Sequence, residues 1–224
     1  MNTLHTFGCS LTASSNWTKN LAKDINYQIN NCAVPAGDNK TQIRRFHDLV
    51  LHNKINESDF ILWEITYLNR LGFRLSHDHH FLTRNKDNKN IKHNFHTYLP
   101  NILDETCHVD YVAFNEEWYN TNWYIQNINE MLSELLFCFN ICKKMVNNNL
   151  LVWFADENIF ENTKQENNFV NYLNKNKIEY LNHHSESLMG WVKRNSYELA
   201  DDKLHPTEQI YNLYYKTFIL PKIK

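Results

Sequence analysis

The chain has 224 residues and a formal net charge of −2, which leaves room for one full-sized core and offers no global basic field for a phosphate backbone, so nucleic acid is not an expected partner. Its apolar runs, around 60–65 and 150–155, fall far short of the roughly 20 residues of a membrane helix, and the mean hydropathy of −0.60 agrees, so no membrane partner is expected. Five cysteines without a C-x-x-C pair read as free thiols of a reducing compartment, and the opening lacks a basic segment leading into an apolar stretch, so a cytoplasmic location is expected.

In chain order, Leu4-His5-Thr6-Phe7 reads as a strand that stops at Gly8, and a helical pattern starts near Ser14 or Ser15 and runs through Trp17, Leu21 and Ile25. The unit repeats: an apolar run over 27–34 breaks at Pro35-Ala36-Gly37, and Asn39 is placed to cap a helix carrying Ile43, Phe46, Leu49 and Val50. Phe60-Ile61-Leu62-Trp63-Glu64-Ile65 is a nearly continuous apolar run, as expected of a strand covered on both faces.

From about 66 to 117 the pattern gives way to His-, Asn- and Lys-rich sequence, read as an insertion. Regularity returns with a long amphipathic helix through Ile125, Ile128, Leu132, Leu135, Leu136, Phe139, Cys142 and Val146. A fourth strand over 150–155, a helix over 160–173, a fifth strand over 178–181 and a closing helix over 207–220 complete the chain. Alternating strands and helices predict a single doubly wound α/β domain on a five-stranded parallel sheet, with ligands at the carboxyl ends of its strands.

Three strand-end or loop segments carry chemistry. Gly8-Cys9-Ser10-Leu11 sets a serine just past the first strand. Gly37, in the loop after the second, lets backbone come close to a ligand. Asp202 and His205, three apart ahead of the last helix, can share one pocket, the carboxylate orienting the imidazole and the imidazole taking a proton from a hydroxyl. Each segment alone also reads as an ordinary cap or turn.

Together, in order and spacing, they resemble the SGNH hydrolase superfamily, the GDSL-type esterases and lipases, over nearly the whole chain. Gly8-Cys9-Ser10-Leu11 matches the Gly-Asp-Ser block with Cys for Asp. Asn31, Ala33, Gly37 and Asn39 fall on the second block, and Asp202 and His205 match the final Asp-x-x-His, followed by Pro206. The third block departs: where the family has Gly-x-Asn-Asp, this chain has Glu64 on the glycine and Thr66 on the asparagine, with Asn69 and Arg70 shortly after.

The resemblance implies a flavodoxin-like SGNH fold and a serine esterase acting on an O-acyl ester, O-acetyl first, with a small molecule or carbohydrate as its carrier. Ser10 would be the nucleophile, His205 the base and Asp202 its orienter. Backbone N–H groups of Ser10 and Gly37, with Thr66 or Asn69, would form the oxyanion hole. No cofactor or metal is implied, and His77, His79, His80, His93 and His96 are read as a polar excursion rather than a ligand set. Cys138 and Cys142 are read as core residues of the long helix, and the aromatic residues Trp118, Tyr119, Trp123 and Tyr124 as packing or a lid. Two alternatives stand beside the esterase: an acyltransferase using the same residues, and a non-catalytic binding protein that keeps the fold.

Overall fold

The computed structural model describes residues 1–13, 16–35, 37–68, 71–74, 95–98, 122–160 and 162–223, with backbone alone for 71–74, 95–98, 122–125 and 127. Its main sheet has five strands, β1 (Thr3–Phe7), β2 (Gln28–Asn31), β3 (Phe60–Ile65), β6 (Leu150–Phe154) and β7 (Glu179–Tyr180), in the order β2-β1-β3-β6-β7. Every neighbouring pair is parallel. The predicted doubly wound α/β architecture is therefore the observed one. Because the strand order reverses between β1 and β3, the carboxyl ends of those two strands open onto the crevice where such folds bind ligands.

Helices α1 (Ser10–Ala13), α2 (Trp17–Asp24), α3 (Asn39–Leu51), α4 (Asn122–Met145), α5 (Thr163–Lys175), α6 (His183–Glu186), α7 (Leu188–Arg194) and α8 (Glu208–Tyr214) follow or separate the strands. A π-helical stretch, Tyr215–Ile219, leads from α8 into α9 (Leu220–Ile223). Within the 66–117 excursion, β4 (Leu71–Arg74) and β5 (Phe95–Tyr98) form an antiparallel pair. Trp118, Tyr119, Cys107 and the histidines 77, 79, 80 and 93 lie outside the described residues.

The central strands are buried along their full length because aromatic layers cover both faces. On one face Trp63 stacks on Phe7 at 4.6 Å between ring centroids and meets Phe139 edge-on at 5.2 Å. On the other, Trp153 meets Trp17 at 5.8 Å and Tyr214 at 5.9 Å. Cys138 and Cys142 are buried thiols of the core, as expected.

Two local details differ from the sequence expectation. Ser10 begins a helical turn instead of lying in a loop, because the Cys9 carbonyl accepts from Thr12 N–H (3.1 Å) and Ala13 N–H (2.9 Å). Asp38, not Asn39, caps α3: its side chain accepts from Thr41 N–H at 2.7 Å. The scarcity of glycine beside abundant asparagine also finds a physical reason. Asn26, Asn53, Asn147 and Asn148 take positive φ values of 59°, 51°, 49° and 72° just past α2, α3 and α4. These are left-handed positions that glycine most often fills at helix ends.

Candidate active site

Leaving β1, the chain passes through Gly8 and Cys9 into α1. Ser10 is the first residue of that turn, where a backbone N–H has no intrahelical acceptor. Beneath the turn lies Glu64, fully buried near the end of β3. Its carboxylate accepts from Cys9 N–H (3.1 Å), Cys9 S–H (2.8 Å) and the Thr12 hydroxyl (2.5 Å). The residues on either side of Ser10 are thus fastened to the central strand by one side chain, and three donors replace the water a buried carboxylate loses. Gly8 is required by this closeness: a Cβ there would stand 2.2 Å from Glu64 Oε2 and 2.4 Å from Thr12 Oγ1.

The loop after β2 docks on the same turn through Val34 N–H, which donates to the Gly8 carbonyl at 3.1 Å. Gly37 closes that loop, its N–H donating to the Val34 carbonyl at 2.8 Å. Its φ is not positive. A Cβ at 37 would instead meet the Val34 carbonyl at 2.8 Å, so close approach is what requires glycine. The amide expected to serve an oxyanion is therefore turned into its own loop in this arrangement.

Thr66, just past β3, is fully buried. The Asn39 side chain clamps its backbone, accepting from Thr66 N–H at 3.1 Å and donating to the Thr66 carbonyl at 3.0 Å. Asn39 thus ties the first turn of α3 to the end of β3 instead of capping its helix. Asn69 and Arg70 lie outside the described residues.

The third segment is a tight loop. Ala200 N–H donates to the His205 carbonyl (2.7 Å) and Lys203 N–H to the Ala200 carbonyl (2.8 Å), with Lys203 in the left-handed region at φ 56°. Asp202 Oδ1 accepts from Leu204 N–H (2.9 Å) and His205 N–H (3.0 Å), while Oδ2 pairs with His205 Nδ1 at 2.5 Å. These contacts, the Leu204 N–H foremost and then the imidazole and the His205 N–H, lower the Asp202 carboxyl from 3.8 to about 2. A carboxylate only accepts, so Nδ1 carries the proton and Nε2 is left as an acceptor. Nε2 lies 2.7 Å from Ser10 Oγ.

The structure therefore brings Ser10, His205 and Asp202 into one hydrogen-bonded chain across 195 residues of sequence. The loop is held over Ser10 by α8, where Glu208 accepts from Asn16 N–H (3.2 Å) and Asn212 accepts from Asn20 (2.9 Å). Sequence reasoning missed Glu64, which it aligned only with a lost glycine. The available signal was a single carboxylate inside an otherwise apolar strand.

The class defined so far is structural: a doubly wound α/β domain with a Ser–His–Asp chain at the carboxyl end of its first strand. No protein-family model matches the chain, and no curated protein matches it in sequence. Solved structures match it in shape. It is similar to the psychrotrophic esterase EstA from Pseudoalteromonas sp., in a structure inhibited by monoethylphosphonate, with 12% identity and a TM-score of 0.55 over 100% of this chain and 99% of that one. It is also similar to a member of the lipolytic protein G-D-S-L family from Veillonella parvula, with 8% identity and a TM-score of 0.53 over 96% and 95% of the two chains. TesA matches with 10% identity and a TM-score of 0.52 over 100% and 98%. At such identities the likeness is one of fold, and the fold is that of the SGNH hydrolases.

Proposed function

We propose that the chain is a serine ester hydrolase of SGNH type, acting on an O-acyl ester, O-acetyl first, of a small molecule or carbohydrate. The observation that supports this is the Asp202–His205–Ser10 hydrogen-bond chain, with its Nδ1-protonated imidazole. Ser10 Oγ attacks the ester carbonyl while His205 Nε2 takes its proton, and the imidazolium then protonates the departing alkoxide. Asp202 holds the ring and stabilises its positive charge in between. Water repeats the sequence on the acyl-enzyme. In this reading the Ser10 N–H faces the developing oxyanion, Gly37 N–H joins once its turn contact to Val34 is shared, and Thr66 or Asn69 is the candidate third donor.

A fluorophosphonate probe tests the proposal, since a phosphonate is the inhibitor named for the Pseudoalteromonas esterase. Stoichiometric labelling at Ser10, with turnover in a panel of short-chain esters and acetylated sugars, is the expected result. A second reading, a binding protein that keeps the fold, has its own support in the enclosed Thr66 and the engaged Gly37 N–H. It predicts no labelling under conditions that label a control esterase. Product analysis with a sugar acceptor present separates hydrolysis from acyl transfer.

A further inference from the structure

Away from the Ser10–His205–Asp202 chain, a second cluster brings together three atoms of metal-ligand type. Glu166, in the first turn of α5, faces the first two residues of α6 through a single oxygen: Oε1 lies 3.1 Å from His183 Nε2 and 2.8 Å from His184 Nε2. All three ligand atoms lie within 4.8 Å of one another, the one such group of histidine, cysteine and carboxylate side chains among the described residues.

Local structure fixes the cluster. The Asn182 side chain caps α6 by accepting from His184 N–H (3.0 Å) and Ser185 N–H (3.2 Å), which sets the backbone of both histidines. The buried His183 ring packs against Phe154 and Phe160, with centroids 5.2 and 5.3 Å away, and lies 4.0 Å from the His184 ring.

We propose that Glu166, His183 and His184 form a site for a divalent transition-metal ion of the zinc type, with water completing its coordination. Two imidazoles and one carboxylate are a common donor set for such ions. Bonds of about 2.0–2.1 Å at tetrahedral angles set ligand atoms roughly 3.3 Å apart, so the two Glu166–histidine separations of 3.1 and 2.8 Å need to open by only a few tenths of an ångström, while the two Nε2 atoms, within 4.8 Å of each other, settle at that same spacing. On binding, each Nε2 that now faces Glu166 must give up its proton, a neutral ring moving it to Nδ1, and the freed lone pair goes to the ion. The His184 side chain is 63% exposed, which leaves an approach for the ion and its waters. His183 Nδ1 is buried without a hydrogen-bond partner. It lacks the outer acceptor that strengthens a metal-bound histidine, which costs about 10–100-fold in affinity relative to a fully supported site. Bound metal would clamp the start of α5 to the start of α6, independently of ester chemistry.

The test uses the chelator-treated chain carrying His77→Ala, His79→Ala and His80→Ala, which removes a competing histidine-rich stretch. Zinc chloride is titrated by calorimetry and cobalt(II) chloride by visible absorption, with thermal unfolding followed in parallel. One saturable equivalent, cobalt bands that zinc displaces, and a zinc-dependent rise in Tm are expected. Placed in that background, Glu166→Gln and His184→Ala should each weaken zinc binding by about tenfold or more and abolish the rise in Tm. His184→Ala alters an exposed side chain and decides the matter alone if Glu166→Gln fails to fold. Absence of saturable binding, or equal affinity with and without His184, overturns the proposal.

Discussion

Glu64 lies so close beneath Gly8 that the two positions exclude each other's growth, a Cβ on residue 8 falling 2.2 Å from the Glu64 carboxylate. The segment before Ser10 and the end of β3 are therefore one unit, although 55 residues separate Cys9 from Glu64. Gly8→Ala should destabilise the fold by about 1–3 kcal/mol through overpacking, measured as a lower denaturant midpoint. Glu64→Ala should also destabilise, by leaving the donors of Cys9 and Thr12 unpaired. Since both act on one contact, the double variant should lose less than the sum of the two. Strict additivity in that cycle would show that residues 8 and 64 do not compete for space.

Ser10→Ala is expected to abolish phosphonate labelling and ester turnover while changing stability by less than about 1 kcal/mol, because the side chain lies at a strand-end turn outside the core. Labelling that persists at wild-type stoichiometry would move the nucleophile elsewhere.

Much of this arrangement was legible in the sequence. The apolar run ending at Ile65 fixed the central strand, and Asp202-x-x-His205 ahead of Pro206 marked a loop whose side chains are free to turn inward. What eluded it depends on register. Phe7 pairs with Trp63 across β1 and β3, so the next residues, Gly8 and Glu64, fall side by side. A register shift of one would put Glu64 on the opposite face, and periodicity along one strand carries no information about its neighbour. The exchange of roles between Asp38 and Asn39 was hidden for a similar reason. Both are good cap residues, and the pairing of Asn39 with the Thr66 backbone depends on where β3 ends in space.

The pH behaviour follows from Asp202. The Leu204 N–H and the His205 imidazole hold its folded carboxyl at about 2, below the ordinary 3.8, so the stability it contributes is present above pH 3.8 and is lost as pH falls toward 2. Asp202→Asn should therefore flatten stability against pH in that window. Above it the carboxylate stays charged and keeps its hydrogen bond to His205 Nδ1, the orientation that proton transfer at Nε2 requires. Asn at 202 also offers an N–H to Nδ1 and favours the wrong tautomer, which should lower turnover by about 10³–10⁴-fold. Turnover by Asp202→Asn within tenfold of the unsubstituted chain, in an assay limited by chemistry, would remove Asp202 as the orienter of His205.

Chelation separates the two sites. Every step proposed at Ser10 is carried by side chains and backbone amides, so dialysis against a chelator should leave ester turnover unchanged. If Glu166, His183 and His184 hold an ion, the same treatment should lower Tm. Activity that vanishes with chelator and returns with one divalent ion would contradict the metal-free scheme.

The oxyanion donors offer the sharpest contrast between sequence and structure. Resemblance puts Thr66 on the family's asparagine, yet Thr66 is fully enclosed and its backbone is clamped by Asn39. Thr66→Val removes the hydroxyl while keeping the shape, and enclosure predicts a change in kcat of less than about threefold, against the 100-fold or more that a lost oxyanion donor can cost. Asn69→Ala is the paired measurement. A tenfold fall for Asn69→Ala with none for Thr66→Val would assign the third donor to Asn69, and the reverse order would require Thr66 to be uncovered when substrate binds. If neither variant changes kcat and Ser10 still labels, the backbone amides of Ser10 and Gly37 act alone. The Gly37 N–H must then share itself between Val34 and the oxyanion, which predicts a slow enzyme, and turnover rivalling an efficient esterase would rule that arrangement out.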